Sequence, residues 1–222
     1  GYTVKEGVIR DGGFVTLYRT EETSPAFLED HSSIDDLIQF RRFENNVQEA
    51  DWIVEDIEKN LHDEELRYQH IMIIHTDPKS TKSYVSHIRV KLMEKGIKSH
   101  IVGVQTTPDD FFQEDSIAIS QIYIAKGNEA AIVYLINADL CARGINLSRK
   151  RNIIFTAMTR SKAWVRVSGI GDDMDLLIQE FNSVKERNFQ LEFTYPDKSQ
   201  RKNMRIIHRD MTKNELRDIR KS

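Results

Sequence analysis

The feature that most constrains this chain is a pair of short, almost purely apolar runs, Ile71-Met72-Ile73-Ile74 and Ala131 to Ile136. Neither run alternates with polar residues, so neither can be a strand with one wet face. A continuous apolar strand must be covered on both sides, as happens when helices flank a parallel sheet. The segments between the runs have the matching helical period. Ala50, Ile53, Val54, Ile57 and Leu61 form one stripe, as an amphipathic helix requires. After Pro78, Tyr84, Val85, Ile88 and Leu92 share a face, and Gly96 stands where a C-terminal cap belongs. Further strands are expected at His100–Val104, Ile117–Ile124 and Val165–Val167, the last closed by Gly169 and Gly171. Helices are expected at Asn152–Lys162 and Met174–Phe181. The fold class is therefore α/β, a mainly parallel sheet with helices on both faces.

The ends of the chain read differently. Residues 1–45 are β-rich or irregular, with Gly12-Gly13 as a turn before Phe14–Tyr18. Residues 196–222 form a basic tail in which Thr212-Lys213-Asn214-Glu215 matches a capping box and predicts a short helix. This leaves 46–195 as the principal domain, in keeping with a length of 222 residues. The net charge of −3 averages over unequal parts: residues 21–65 hold 15 acids and three bases, while 149–166 hold six bases and no acid. The acidic stretch reads as a solvated face. A single cysteine, Cys141, excludes a disulfide framework and a multi-cysteine zinc site. It fits a cytoplasmic setting, and free cysteine is usually buried and inert. No metal site is expected from the spacing of ligand residues. No apolar run is long enough to span a bilayer, so no membrane partner is expected. The chain begins at Gly1 without an initiator Met, which is the expectation for part of a longer protein.

Two stretches carry candidate chemistry. The first is Gln121-Ile-Tyr123-Ile-Ala125-Lys126-Gly127-Asn128-Glu129, running off an expected strand. Glycine there lets backbone approach a ligand closely, and a following Glu can accept hydrogen bonds from a sugar hydroxyl. By itself the stretch reads better as an ordinary turn with a surface Lys and Glu. The second is Arg151 to Trp164, with Ala157, Thr159, Arg160, Ser161 and Lys162 at the junction of a helix and a strand. An Arg on a rigid element can stabilise charge that develops on a transferred phosphoryl group. By itself it reads better as a surface ion-pair arginine.

Taken together, about thirty residues apart with one apolar strand between them, the two stretches resemble motifs V and VI of superfamily 1 helicases. The closer likeness is to the UvrD/Rep-like branch, whose motif V carries Ala-Lys-Gly-x-Glu, here Ala125, Lys126, Gly127 and Glu129. Its motif VI reads roughly Ala-x-Thr-Arg-(Ala/Ser)-Lys, here Ala157, Thr159, Arg160, Ser161 and Lys162. The resemblance runs from about Glu49 to Gly171 and implies the second, C-terminal RecA-like domain of such an enzyme. It implies ATP with Mg2+ as cofactor, the metal being held by a first RecA-like domain that this sequence lacks. Lys126, Gly127, Glu129, Thr159 and Arg160 would bind the nucleotide, with Glu129 on the ribose and Arg160 as the catalytic arginine finger. His75, Thr76, Asp77 and Tyr123 stand where relatives contact single-stranded nucleic acid, DNA in most.

The departures are specific. Relatives often have Arg and Asn where this chain has His75 and Asp77, and His where it has Tyr123. Tyr123 can still stack on a base, since aromatics do so without sequence preference. Asn128 replaces a usual apolar residue, and only Gln105–Asp115 stands where relatives commonly insert a large subdomain. No G-x-x-x-x-G-K-[ST] occurs, so nothing in this sequence can cradle the phosphates of ATP. The implied function is the C-terminal half of an ATP-dependent helicase or translocase, inactive as this chain alone. The alternative is a non-catalytic nucleic-acid or protein interaction module that keeps the fold.

Overall fold

The computed structural model describes residues 1–24, 26–77, 85–144 and 146–202. They divide into two compact units, one of Gly1–Ala26 with Val184 onward and one of Phe27–Ser183. In the first unit, β1 (Tyr2–Gly7), β2 (Phe14–Arg19) and β9 (Leu191–Thr194) form an antiparallel sheet in the order β1-β2-β9. The compact units therefore divide the chain at other places than the expected 45 and 195. β9 lies inside 46–195 by sequence yet pairs with β2, whereas residues 27–45 belong to the other unit. The expected tail helix at Thr212–Glu215 lies outside the described residues.

The larger unit is built on six strands in the order β3-β8-β7-β4-β6-β5. They are β3 (Ile38–Phe43), β4 (Ile71–His75), β5 (Ser99–Ile101), β6 (Ile117–Gln121), β7 (Ala130–Ile136) and β8 (Ser161–Ile170). Every pairing is parallel. The α/β class of the RecA-like expectation is what the chain adopts. Alternate residues of the apolar runs serve opposite faces. Ile71, Ile73, Ile132 and Tyr134 pack with α3 (Asn46–His62) and α4 (Ser86–Glu94) through Ile53, Ile57, Ile88 and Leu92. Met72, Ile74, Val133 and Leu135 pack with α5 (Ile122–Ala125), α6 (Leu147–Met158) and α7 (Asp172–Glu186), which contribute Ile122, Ile154, Ala157, Met174 and Leu177. Two short helices, α1 (Phe27–His31) and α2 (Ile34–Leu37), precede β3.

Local chemistry sets the element ends. The Asn45 side chain accepts from the N–H groups of Val47 and Gln48, both at 3.0 Å, and so caps α3. Gly96, at φ +72°, follows α4, and the Ile97 N–H returns to the Leu92 carbonyl at 2.8 Å. This closure satisfies an orphan carbonyl and needs the left-handed conformation that glycine adopts freely. The expected start of that helix at Pro78, with Tyr84 on its apolar face, lies outside the described residues. The expected strand to Ile124 is shorter: β6 stops at Gln121, and Ile122 to Ala125 make one helical turn. That turn buries Ile122 and Ala125, three residues apart, and leaves Tyr123 outside.

One polar network joins α3 to the sheet. Tyr134 Oη donates to Asp56 Oδ2 at 2.6 Å and accepts from Asn60 Nδ2 at 2.9 Å. Arg166 Nε reaches the same Asp56 oxygen at 3.3 Å, and its Nη1 donates to the Asp36 carbonyl at 2.6 Å. Burial and the adjacent Asp56 carboxylate push the Tyr134 phenol well above its usual range. The acidic stretch is therefore not simply a solvated face, since Asp56 and the buried Glu49 are structural.

Candidate functional site

Because all six strands run the same way, the sheet has two distinct ends, and the expected site residues fall on both. β7 and β8 start side by side, with Ala130 opposite Ser161. The Ala130 N–H donates to the Arg160 carbonyl at 3.0 Å. This one bond brings together the stretches ending at Glu129 and Arg160. Gly127 precedes β7 at φ +98°, and a Cβ there would meet nothing within 4 Å, so the glycine serves the backbone conformation rather than space. Lys126, Gly127, Glu129 and Thr159 are exposed, and Arg160 is half-buried.

The Arg160 guanidinium lies over the last turn of α6. Its Nε donates to the Thr156 carbonyl at 3.2 Å and its Nη2 to Thr159 Oγ1 at 3.3 Å, while Thr159 Oγ1 donates to the same carbonyl at 2.9 Å. A cation is favoured at a helix C-terminus by the helix dipole and the unpaired carbonyls. Among the described residues no carboxylate is within ion-pair distance of Arg160, so its charge is held but not neutralised.

The other expected residues lie elsewhere. His75, Thr76 and Asp77 stand at the far end of β4, where the strands finish. His75 and Thr76 are buried, at 0% and 3% exposure. The Asp77 N–H donates to His75 Nδ1 at 2.9 Å, and Thr76 Oγ1 donates to the Asn137 carbonyl at 2.7 Å. Burial holds the His75 imidazole below its ordinary value. Alongside, Ser168 Oγ donates to Glu49 Oε1 at 2.6 Å, and burial raises the Glu49 carboxyl. These bonds join β4 to β7 and β8 to α3 at the strand ends. Cys141 is buried too, and burial pushes its thiol up to about 11.

Tyr123 is 52% exposed and sits on α5 against α6, where Arg149 Nη2 donates to its hydroxyl at 3.2 Å. Lys126 lines the same α5–α6 groove with Arg149 and Asn152. The sequence reading missed Asn152 and named Arg149 only as part of a basic run. The signal for both was their i, i+3 spacing on α6. Among the described residues no group of three His, Cys, Asp or Glu side chains is placed to hold a metal ion. No helix among them is long and apolar enough to cross a membrane.

Residues 116–168 match the family model of the UvrD-like helicase C-terminal domain. That stretch contains both segments singled out in the sequence, Gln121–Glu129 and Arg151–Trp164. Among solved structures, the chain is similar to the C-terminal domain of a possible DNA helicase from Lactobacillus plantarun WCFS1. The identity is 16%, over 67% of this chain and 81% of that one, with a TM-score of 0.47. No curated protein matches.

Proposed function

We propose that this chain is the second RecA-like half of an ATP-dependent helicase or translocase acting on single-stranded nucleic acid, DNA by preference. It completes an ATP site shared with a first RecA-like domain of the same longer protein. The observation that supports this reading is the convergence at the start of β7 and β8. The Ala130–Arg160 backbone bond holds exposed Gly127 and Glu129 beside Thr159 and an arginine that no carboxylate neutralises.

These residues fit one side of a nucleoside triphosphate. Glu129 offers acceptors to ribose hydroxyls, Gly127 allows close approach of the backbone, and Arg160 carries positive charge to the γ-phosphate. Thr159 Oγ1 and the Thr156 carbonyl orient that guanidinium. ATP bound with Mg2+ supplies the phosphoanhydride whose cleavage drives movement. The cradle for its phosphates and the ligands for its metal belong to the first domain. Charge placed in advance where it develops in phosphoryl transfer is worth roughly 10³-fold or more in rate. Nucleic acid contact rests on Tyr123, an exposed aromatic able to stack on a base.

The test is Arg160→Ala in the complete protein, with strand-stimulated ATP hydrolysis as the readout. Turnover is expected to fall by about 10³-fold. Normal turnover sinks the arginine-finger role and leaves the non-catalytic interaction module. The chain by itself is expected to hydrolyse no ATP, and measurable turnover by it contradicts the shared-site reading.

A further inference from the structure

The groove between α5 and α6 contains groups that the nucleotide-facing edge does not use. Ile122 and Ile153 form its apolar floor, and Tyr123 stands at its mouth. Arg149, Asn152 and Ile153 lie at i, i+3 and i+4 on α6 and so face α5 together. Lys126 closes the far side. The cavity is about 190 Å³, below the roughly 300 Å³ at which pockets begin to hold drug-sized ligands. It has room for one planar ring rather than a whole nucleotide.

Charge identifies the occupant. Three other bases of the same stretch are committed: Lys150 Nζ donates to the carbonyls of Leu140 and Arg143, and Arg151 pairs with Glu180. Arg166 pairs with Asp56. Arg149 and Lys126 have no carboxylate within ion-pair distance among the described residues, and no acid lines the groove. An exposed aromatic over an apolar floor, flanked by two cations that no carboxylate neutralises, one of them bonded to the aromatic hydroxyl, complements a polyanion that carries flat rings.

We infer that Arg149 and Asn152, on α6, complete with Tyr123 and Lys126 a one-base pocket for single-stranded nucleic acid. The base stacks on Tyr123 above Ile122 and Ile153, and the Asn152 amide meets its edge. Arg149 and Lys126 neutralise the flanking phosphates, so Lys126 serves the strand rather than the ATP edge. The inference rests on the nucleic-acid half of the proposed function and adds the α6 wall to it.

The test titrates this chain into two fluorescent probes, an oligothymidylate and an abasic phosphodiester of equal length, and reads anisotropy across a salt series. Arg149→Ala is expected to weaken both probes about tenfold and to lower the salt slope by about 0.7, the loss of one single-strand phosphate contact. Asn152→Ala is expected to weaken only the base-bearing probe, by about three- to tenfold. Both positions are exposed, so the variants are expected to keep the parent Tm. Arg143→Ala, which breaks an exposed pair with Asp173, is expected to bind as the parent does. Salt-dependent binding that Arg149→Ala and Asn152→Ala leave unchanged overturns the pocket and spares the nucleic-acid reading. No binding by the parent chain at low salt overturns both.

Discussion

The two ends of one parallel sheet follow opposite plans. Where β4, β7 and β8 finish, His75, Thr76, Asn137, Ser168 and Glu49 are all buried, and hydrogen bonds such as Ser168 to Glu49 tie them together. Where β7 and β8 begin, Lys126, Gly127, Glu129 and Thr159 face solvent, and Arg160 rests only on helix-end acceptors. A buried group that is already bonded cannot turn to a ligand without orphaning its partner, at a cost of about 1–3 kcal/mol. An uncommitted group at an edge carries no such cost. Polar residues at the strand finishes therefore hold the fold, and those at the strand starts are available for chemistry. β8 and the turn before it repeat the contrast in two arginines six positions apart, Arg160 open at the edge and Arg166 locked to Asp56.

Removing each of those two arginines is expected to have opposite effects on activity and stability. Arg160→Ala is expected to remove about 10³-fold of ATP turnover in the complete protein, about 4 kcal/mol of activation energy. Its unfolding free energy is expected to stay within about 0.5 kcal/mol. Arg166→Leu is expected to do the reverse to stability. It strips the buried partner from Asp56 and costs about 3 kcal/mol, seen in a thermal melt as a Tm lower by about 6–12 °C. If both variants lost stability equally, the two arginines would be structural alike.

Tyr134→Phe sharpens the same point at smaller scale. It removes a hydroxyl that Asp56 and Asn60 both use, and denaturant unfolding is expected to report a loss of about 1–2 kcal/mol. Glu49→Gln is expected to act in the other direction and to depend on pH. Burial raises the folded Glu49 value above its ordinary 4.5. The stability linked to its protonated form is fully present below 4.5 and is lost as pH rises through the raised value. An amide keeps an acceptor for Ser168 without that charge. The variant should therefore melt about 2–4 °C above the parent at neutral pH, the shift given by about 1 kcal/mol in a chain of this size. The gap should close as pH falls toward 4.5. His75 is shifted the opposite way: its contribution is present above 6.5 and lost as pH falls through its lowered value. It does so in parent and variant alike, so the difference between their curves isolates Glu49.

The central strands were legible because Ile71–Ile74 and Ala131–Ile136 have no polar alternation, which leaves few ways to cover them. β3 was not, because Ile38-Gln39-Phe40-Arg41-Arg42-Phe43 is an edge strand with Arg41 and Arg42 exposed and its other residues only half-buried, so it lacks the apolar run of an inner strand. β9 was missed because its pairing with β2 spans most of the chain and leaves all four residues exposed. That the stretches ending at Glu129 and Arg160 belong together was legible only from their joint resemblance to motifs V and VI, and the structure sets them side by side at the starts of β7 and β8. The inward turn of His75 and Thr76 was not, since a polar pair after an apolar strand reads the same whether it faces water or Asn137. The Arg149–Tyr123 contact was hidden by a separation of 26 residues.

Hydrogen–deuterium exchange of the complete protein, with and without a non-hydrolysable ATP analogue, tests the assignment of the two ends most directly. Slower exchange is expected at the amides of residues 127–130 and 158–162, with no change at 75–77 and 136–139. Protection confined to 75–77 and 136–139, with 127–130 and 158–162 exchanging as in the free protein, contradicts it.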